Sequence, residues 1–105
     1  MKTLSSRQFA EQLTRRLGSE PAQIFSRRRD SANSRIRHAI YCALRDQLRM
    51  TYPQIGGLMH RDHGAIIHGV KTVSGRLEVD PVYRAWWHNS VIPATRATLA
   101  QLHNQ

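Results

Sequence analysis

Apolar residues recur every three or four positions along most of this 105-residue chain, which is the spacing of one face of an α-helix. The first such segment carries them at Phe9, Leu13 and Leu17. A serine at position 5 or 6 can cap its start, and Gly18 can end it. No segment alternates apolar and polar residues as a β-strand would. The pattern therefore predicts an all-α fold.

Helix start and stop signals divide the rest of the chain into six further helices. A short helix is predicted at 21–25, a loop at 26–34 and the longest helix at about 34–48. The fourth helix opens with a capping box of Thr51 and Gln54, and Asp62 and Asp80 cap the next two. The apolar face of the longest helix consists of Ile36, Ile40, Ala43, Leu44 and Leu48. Pro93 is predicted to separate the sixth helix from a weaker C-terminal one that ends near Leu102.

Residues 51–73 have the layout of a helix-turn-helix, two helices joined by a tight corner. The positions that face the corner are apolar at helical spacing: Ile55, Leu58, Met59, Ile66, Ile67, Val70 and Val73. This stripe leaves Arg61, Asp62 and His63 on the outward side, where the second helix begins. A helix N-terminus favours anions such as phosphate. In a DNA-reading helix-turn-helix, this turn enters the major groove.

The charge balance fits a nucleic-acid partner. Sixteen Lys and Arg residues stand against seven Asp and Glu residues, which gives a net charge of +9, and fourteen of the sixteen are Arg. Because a guanidinium binds two oxygens of one anion, this excess favours phosphate recognition. A membrane-surface protein would need a long helix with an uninterrupted apolar face, which the sequence lacks. The length allows one domain with a modest core and no separate catalytic domain.

The single cysteine, Cys42, allows no disulfide within the chain, so a reducing compartment is expected. It lies in an apolar helical stretch, which favours an inert thiol. The sequence has no apolar run typical of a signal peptide or of a membrane span. We therefore expect a cytoplasmic, nucleoid-associated protein without a membrane segment.

A concentrated basic segment lies between the second and third helices. Five arginines and one acid occur within eleven residues: Arg27, Arg28, Arg29, Arg35 and Arg37, with Asp30. Such a run is often only a solvated face. Beside a helix-turn-helix, however, an arginine loop can reach the adjacent minor groove, where the potential of A·T-rich DNA is most negative. We therefore expect this segment to bind DNA.

Four short motifs together resemble the C-terminal DNA-binding domain of DnaA, the bacterial replication initiator. They are Phe25–Arg29 (FSRRR), Arg35–Arg37 (RIR), Tyr52–Gly56 (YPQIG) and Arg61–His63 (RDH). The resemblance implies a Trp-repressor-like helical domain whose helix-turn-helix binds DnaA-box-like sites in double-stranded DNA. We expect this domain at residues 1–92, followed by a C-terminal helix or tail at 93–105.

The resemblance also implies roles for single residues. Arg29 falls at the position of a minor-groove arginine, and Arg61 at one that contacts phosphate or guanine. Asp62 and His63 occupy base-reading positions. Positions that meet the DNA backbone are held by Pro53 and Arg37. The candidate DNA-binding set is completed by Arg27, Arg28, Arg35, Gly64, Ala65, His68 and Lys71.

The chain departs from the family pattern at several contact positions. The two residues after Arg-Asp-His are typically threonines and are here Gly64 and Ala65, which removes contacts worth about 1 kcal/mol or more each. Further departures are Asp30, Ser31, Met59, His60, Gly69 and Thr72. The residues therefore support the fold and DNA binding more strongly than recognition of the standard DnaA box.

No arrangement of residues for catalysis or for a cofactor is recognisable. The nucleotide domain of DnaA needs a glycine-rich loop ending in Lys-Ser or Lys-Thr, and Lys71-Thr72 lacks the glycines. The spacing of His60, His63 and His68 suits a metal poorly. We expect a free-standing DNA-binding domain that is not an enzyme and holds no metal or cofactor.

Two alternatives stay open from the sequence. Tyr83, Trp86 and Trp87 have helical spacing; core packing is favoured for Trp86, whereas Trp87 fits either a core or stacking on unpaired bases. The alternative to DNA binding is a protein-interaction module that antagonises a replication or transcription protein. Salt separates the two, because DNA binding weakens steeply as salt rises and an apolar protein interface does not.

Overall fold

The computed structural model describes residues 5–26 and 33–103, and these residues form helices and connections without a strand. The helices are α1 (Ser6–Arg16), α2 (Pro21–Ile24), α3 (Ser34–Gln47), α4 (Tyr52–Met59), α5 (His63–Val79), α6 (Pro81–Trp86) and α7 (Ile92–His103), with a π-helical segment (Trp87–Val91) before α7. The predicted all-α fold is confirmed. Within the same ranges, no helix combines the length and the apolar character that crossing a bilayer requires.

Local capping sets where three of the helices begin. The Ser5 hydroxyl accepts the Gln8 N–H, and the Gln8 side chain accepts the Ser5 N–H in return. Thr51 and Gln54 form the same reciprocal pair at α4, so the predicted capping box is confirmed. The carboxylate of Asp80 accepts two backbone N–H groups at the start of α6. Each pair satisfies backbone donors that the first turn of a helix leaves without a partner.

The core lies between α1, α3, α4, α5 and α7. The predicted apolar face of α3 is buried from Ile36 to Leu44, whereas Leu48 at its end is only half-buried. Residues without exposed surface include Phe9, Leu13, Ile24, Ile40, Leu44, Ile55, Met59 and Ile66. A second apolar cluster joins Cys42 and Val73 to Tyr83, and both tryptophans pack against it. The expected core packing of Trp86 is therefore confirmed, and Trp87 also packs rather than standing free.

The predicted break at Pro93 is wrong, since the chain stays helical from α6 through the π-helical segment into α7. Pro93 is the second residue of α7. In a regular α-helix its ring would collide with the carbonyl four residues earlier. Here the preceding turn is wider, and the N–H of Ile92 bonds to the oxygen of Trp87, five residues back. The π-helical turn thereby lets the helix continue past the proline.

The C-terminal helix α7 packs against α1 and belongs to the common core. Ala94 is buried in the main cluster, with Leu99 and Leu102 packed beside it. The guanidinium of Arg16 donates to the Thr98 hydroxyl at 3.0 Å and to the Gln101 amide oxygen at 2.9 Å. The expected C-terminal helix is therefore present, and it closes one side of the domain.

Candidate nucleic-acid interface

A tight corner joins α4 to α5. His60 ends α4 in the left-handed conformation, with φ 58° and ψ 45°. The next N–H, that of Arg61, donates to the Gly56 carbonyl at 2.9 Å. A Cβ atom at position 56 would lie 2.5 Å from the carbonyl oxygen of Arg61. Because only glycine leaves this space, the corner depends on the residue at position 56.

The apolar stripe predicted for the corner holds α4 and α5 together. Ile55, Met59 and Ile66 have no exposed surface, and Val73 is 3% exposed. Leu58, Ile67 and Val70 are half-buried. These contacts fix the rotation of α5 about its axis. The opposite side of the helix is consequently turned to solvent.

The exposed side of α5 carries five of the thirteen candidate residues from the sequence. His63, Gly64, Ala65, His68 and Lys71 are all exposed on it. At the start of α4, Pro53 is exposed as well. The structure thus brings together six of the candidates on the two helices of the helix-turn-helix. Their contact with DNA stays a prediction.

The predicted side-chain cap by Asp62 is wrong, although Asp62 does stand at the N-cap position of α5. Its backbone carbonyl accepts the N–H groups of Ala65 and Ile66, at 3.0 and 3.3 Å, while its carboxylate makes no capping bond. The first turn therefore keeps backbone N–H groups available to an anion. The exposed carboxylate is equally available as an acceptor beyond the helix.

Arg61 does not point outward as predicted. It is half-buried, and its Nη2 atom donates to the carbonyl oxygen of Ser26 at 2.7 Å. Ser26 is the last described residue before the arginine segment at 27–32. The side chain of Arg61 therefore ties the corner of the helix-turn-helix to the base of that segment. The carbonyl oxygen of Ser26, two residues after the end of α2, accepts this bond and explains the inward placement.

The structure places Arg37, which is expected to contact the DNA backbone, inside the domain rather than on its surface. Arg37 is only 5% exposed. Its guanidinium donates to the carbonyl oxygens of Ile24 at 3.2 Å and Gln23 at 2.7 Å. Carbonyl groups at the C-terminal end of a helix attract a cation, so Arg37 holds α3 to the end of α2. We leave it out of the interface.

Of the remaining predicted arginines, the structure describes only Arg35. Arg27, Arg28 and Arg29 lie outside the described residues. Arg35 is exposed in the first turn of α3, and its guanidinium carbon lies 4.5 Å from the centre of a Trp86 ring. Arg35 therefore stays among the candidates with an aromatic neighbour that the sequence did not indicate.

Sequence reasoning missed His38, which lies where α3 crosses α5. Its ring is 6.5 Å from that of His68, and a Cβ atom at Gly69 would lie 2.8 Å from His38 and from Tyr41. The glycine at position 69 is thus what allows the two helices to approach closely. Burial lowers the pKa of His38, and the charges of His68 and of nearby arginines lower it further. His38 is therefore neutral at neutral pH and adds no charge to the interface.

Two further groups of the described residues are the Cys42 thiol and the side chains that could bind a metal. Burial raises the pKa of the Cys42 thiol to about 12, and the nearby Asp46 carboxylate adds to this effect. The thiol is consequently protonated and a poor nucleophile. Across residues 5–26 and 33–103, no three side chains of the metal-ligating types are grouped closely enough to hold an ion.

The short α4, the left-handed corner and the long α5 with an exposed start define a helix-turn-helix domain. The family model described as "bacterial dnaA protein helix-turn-helix" matches residues 7–73, which is more than half of the chain. The chain belongs to this family of DNA-binding domains, and the family binds double-stranded DNA. The match ends within α5, so α6, the π-helical segment and α7 lie beyond it. Neither the curated proteins nor the solved structures gave a match.

Two neighbouring glycines provide a matched test of the corner. We expect Gly56→Ala to destabilise the domain by about 2 kcal/mol or more, because the new methyl group meets the Arg61 carbonyl. Gly57 is exposed in the same helix and has nothing within 4 Å of an added Cβ. There, alanine should stabilise by about 0.5–1 kcal/mol through its better helix propensity. Thermal and denaturant unfolding measure both, and equal effects of the two substitutions would contradict the proposed corner.

Proposed function

We propose that this protein binds double-stranded DNA with a sequence preference, placing the start of α5 in the major groove and Arg29 in the adjacent minor groove. The observation that carries the proposal is the exposed, uncapped first turn of α5 on a helix-turn-helix of the DnaA family. The corresponding role is control of replication or transcription by occupying sites on DNA. We place the protein in the cytoplasm, on the nucleoid, and assign residues 1–92 to the DNA-binding unit.

The chemistry of the first turn supports base reading. The Asp62 carboxylate makes no capping bond, so it can accept a hydrogen bond from the amino group of cytosine. The exposed ring of His63 can donate to, or accept from, a base edge or a phosphate. Gly64 and Ala65 are small and exposed, which allows the backbone of α5 to come close to the bases. They also supply fewer contacts than threonine would, so discrimination rests mainly on Asp62 and His63.

The tie between Arg61 and Ser26 supports a joint use of both grooves. Its 2.7 Å hydrogen bond holds the chain just before residue 27 against the corner that begins α5. Ser26, which precedes Arg27 in the sequence, therefore lies beside the start of α5. Arginines that follow such a point in the chain can enter a neighbouring minor groove, where the phosphates of both strands concentrate negative potential. In this proposal Arg61 positions the segment and need not contact a base.

Exposed residues farther along the helices support electrostatic docking through Lys71 and Arg35. His68 and Lys71 are exposed one and two turns after His63 on α5. Arg35 is exposed at the start of α3, and Pro53 lies at the N-terminal end of α4. Lys71 and Arg35 are candidates for phosphate contacts, which position a protein on the duplex without reading its sequence. The net charge of +9 favours the same approach.

Salt dependence tests DNA binding against a protein-interaction function. Each phosphate contact releases a counterion from the DNA, and added salt opposes that release. With about four such contacts, the affinity for a duplex should fall roughly a hundredfold between about 50 mM and 200 mM salt. Fluorescence anisotropy on a labelled duplex, chosen by selection from a random pool, measures this slope. Affinity that is independent of salt, or the absence of any duplex binding, would defeat the proposal.

Base reading is tested by comparing His63→Ala with Lys71→Ala. Loss of the His63 ring should cost about 1–3 kcal/mol on the selected duplex and little on a random one. Loss of the Lys71 charge should weaken binding to both duplexes alike and reduce the salt slope by about one unit. Competition binding at fixed salt gives both results. Equal losses for His63→Ala on the two duplexes would leave a mainly electrostatic DNA binder.

A further inference from the structure

Arg35 and Trp86 form a contact that links the edge of the interface to a part of the chain beyond the family match. Arg35 is exposed in the first turn of α3, and Trp86 ends α6. The guanidinium carbon lies 4.5 Å from the centre of a Trp86 ring, within the range of a cation–π interaction. The salt bridges of the described residues give Arg35 no carboxylate partner. Within residues 5–26 and 33–103, its guanidinium is therefore held by an aromatic ring and not by an ion pair.

Trp86 is itself fixed by its surroundings. It is half-buried, and its ring centre is 5.5 Å from that of Tyr83, which is 3% exposed. Tyr83 carries a second guanidinium, that of Arg76, at 4.3 Å. Arg76 is a useful contrast, because it also pairs with the Asp80 carboxylate at 3.2 Å. Of these two stacked arginines, only Arg76 has a carboxylate partner among the described residues.

The contact between Arg35 and Trp86 lies next to the candidate interface. His38 lies one turn after Arg35 on α3, and its ring is 6.5 Å from that of His68 on α5. His68 is on the exposed side of α5 together with His63 and Lys71. The face of α3 that carries Arg35 therefore borders the exposed side of α5. Arg35 also follows the arginine segment by a few residues of chain.

We propose that Trp86 is a positioning residue that holds Arg35 ready for a DNA phosphate, so that α6 contributes to DNA affinity without touching DNA. This inference rests on the proposed function. A guanidinium lying on a ring uses its flat face and leaves its N–H groups, which lie in its plane, for the oxygens of a phosphate. A side chain already held in one place loses less freedom on binding. Trp86 should therefore act only through Arg35.

A double-mutant cycle tests this dependence. We expect Trp86→Leu to weaken duplex binding about two- to fivefold, the size of an exposed cation–π interaction. Arg35→Ala should weaken it at least as much, and adding Trp86→Leu to Arg35→Ala should cost nothing further. Trp86→Phe keeps an aromatic face and should retain most of the affinity. Trp87→Leu is the control, because Trp87 packs on Tyr83 and no described guanidinium lies over it.

The possible results distinguish the role of Trp86 from the proposed DNA binding itself. Wild-type protein that binds no duplex would defeat the proposed function. Wild-type binding with additive losses in the cycle, or equal losses for Trp86→Leu and Trp87→Leu, would overturn only the role of Trp86. Thermal unfolding of every variant checks that each one is folded.

A second measurement needs no substitution and decides the matter if Trp86→Leu fails to fold. In nuclear magnetic resonance spectra of the wild-type protein, the side-chain protons of Arg35 should be shifted upfield by the Trp86 ring. The shift should persist when duplex DNA is bound, because the ring and the phosphate use different sides of the guanidinium. Loss of the shift on binding would mean that Arg35 leaves Trp86 to reach DNA, and the inference would be wrong.

Discussion

The close approach of the Gly56 backbone to the Arg61 carbonyl is the constraint on which the rest of the site depends. It allows the chain to turn within three residues, so that Ile55 and Ile66 can meet in the core. The same turn leaves the start of α5 uncapped and exposed, and it brings the Arg61 side chain to Ser26. A single missing methyl group thus sets both the packing of the domain and the surface offered to DNA.

The arginines of this basic chain have different structural roles, and the net charge of the chain does not show which arginine has which role. Arg37 is buried on the carbonyls that end α2, and Arg16 joins α1 to α7. Arg61 links the corner to Ser26, while Arg35 rests on Trp86 and has no carboxylate partner among the described residues. A guanidinium suits all of these places because it offers five N–H donors and a flat apolar face. The net charge of +9 therefore overstates the number of arginines available to DNA.

Features set by local chemistry could be predicted from the sequence. The caps at Ser5 and Thr51 and the end of α1 at Gly18, with φ 89°, depend on residues within one turn of each other. The exposed side of α5 followed from the period of its apolar stripe. Features set by distant groups could not be predicted. The acceptors of Arg37 and Arg61 are carbonyls 13 to 35 positions away in the chain. Pro93 likewise did not end the helix, because a π-helical turn precedes it.

In the proposed complex, the first turn of α5 meets the DNA bases. Backbone amide shifts in nuclear magnetic resonance, followed while a selected duplex is added, test it most directly. We expect the largest changes at His63, Gly64 and Ala65, and small changes on the exposed side of α7 at Ala97. Largest changes on α7, with the start of α5 unaffected, would contradict it.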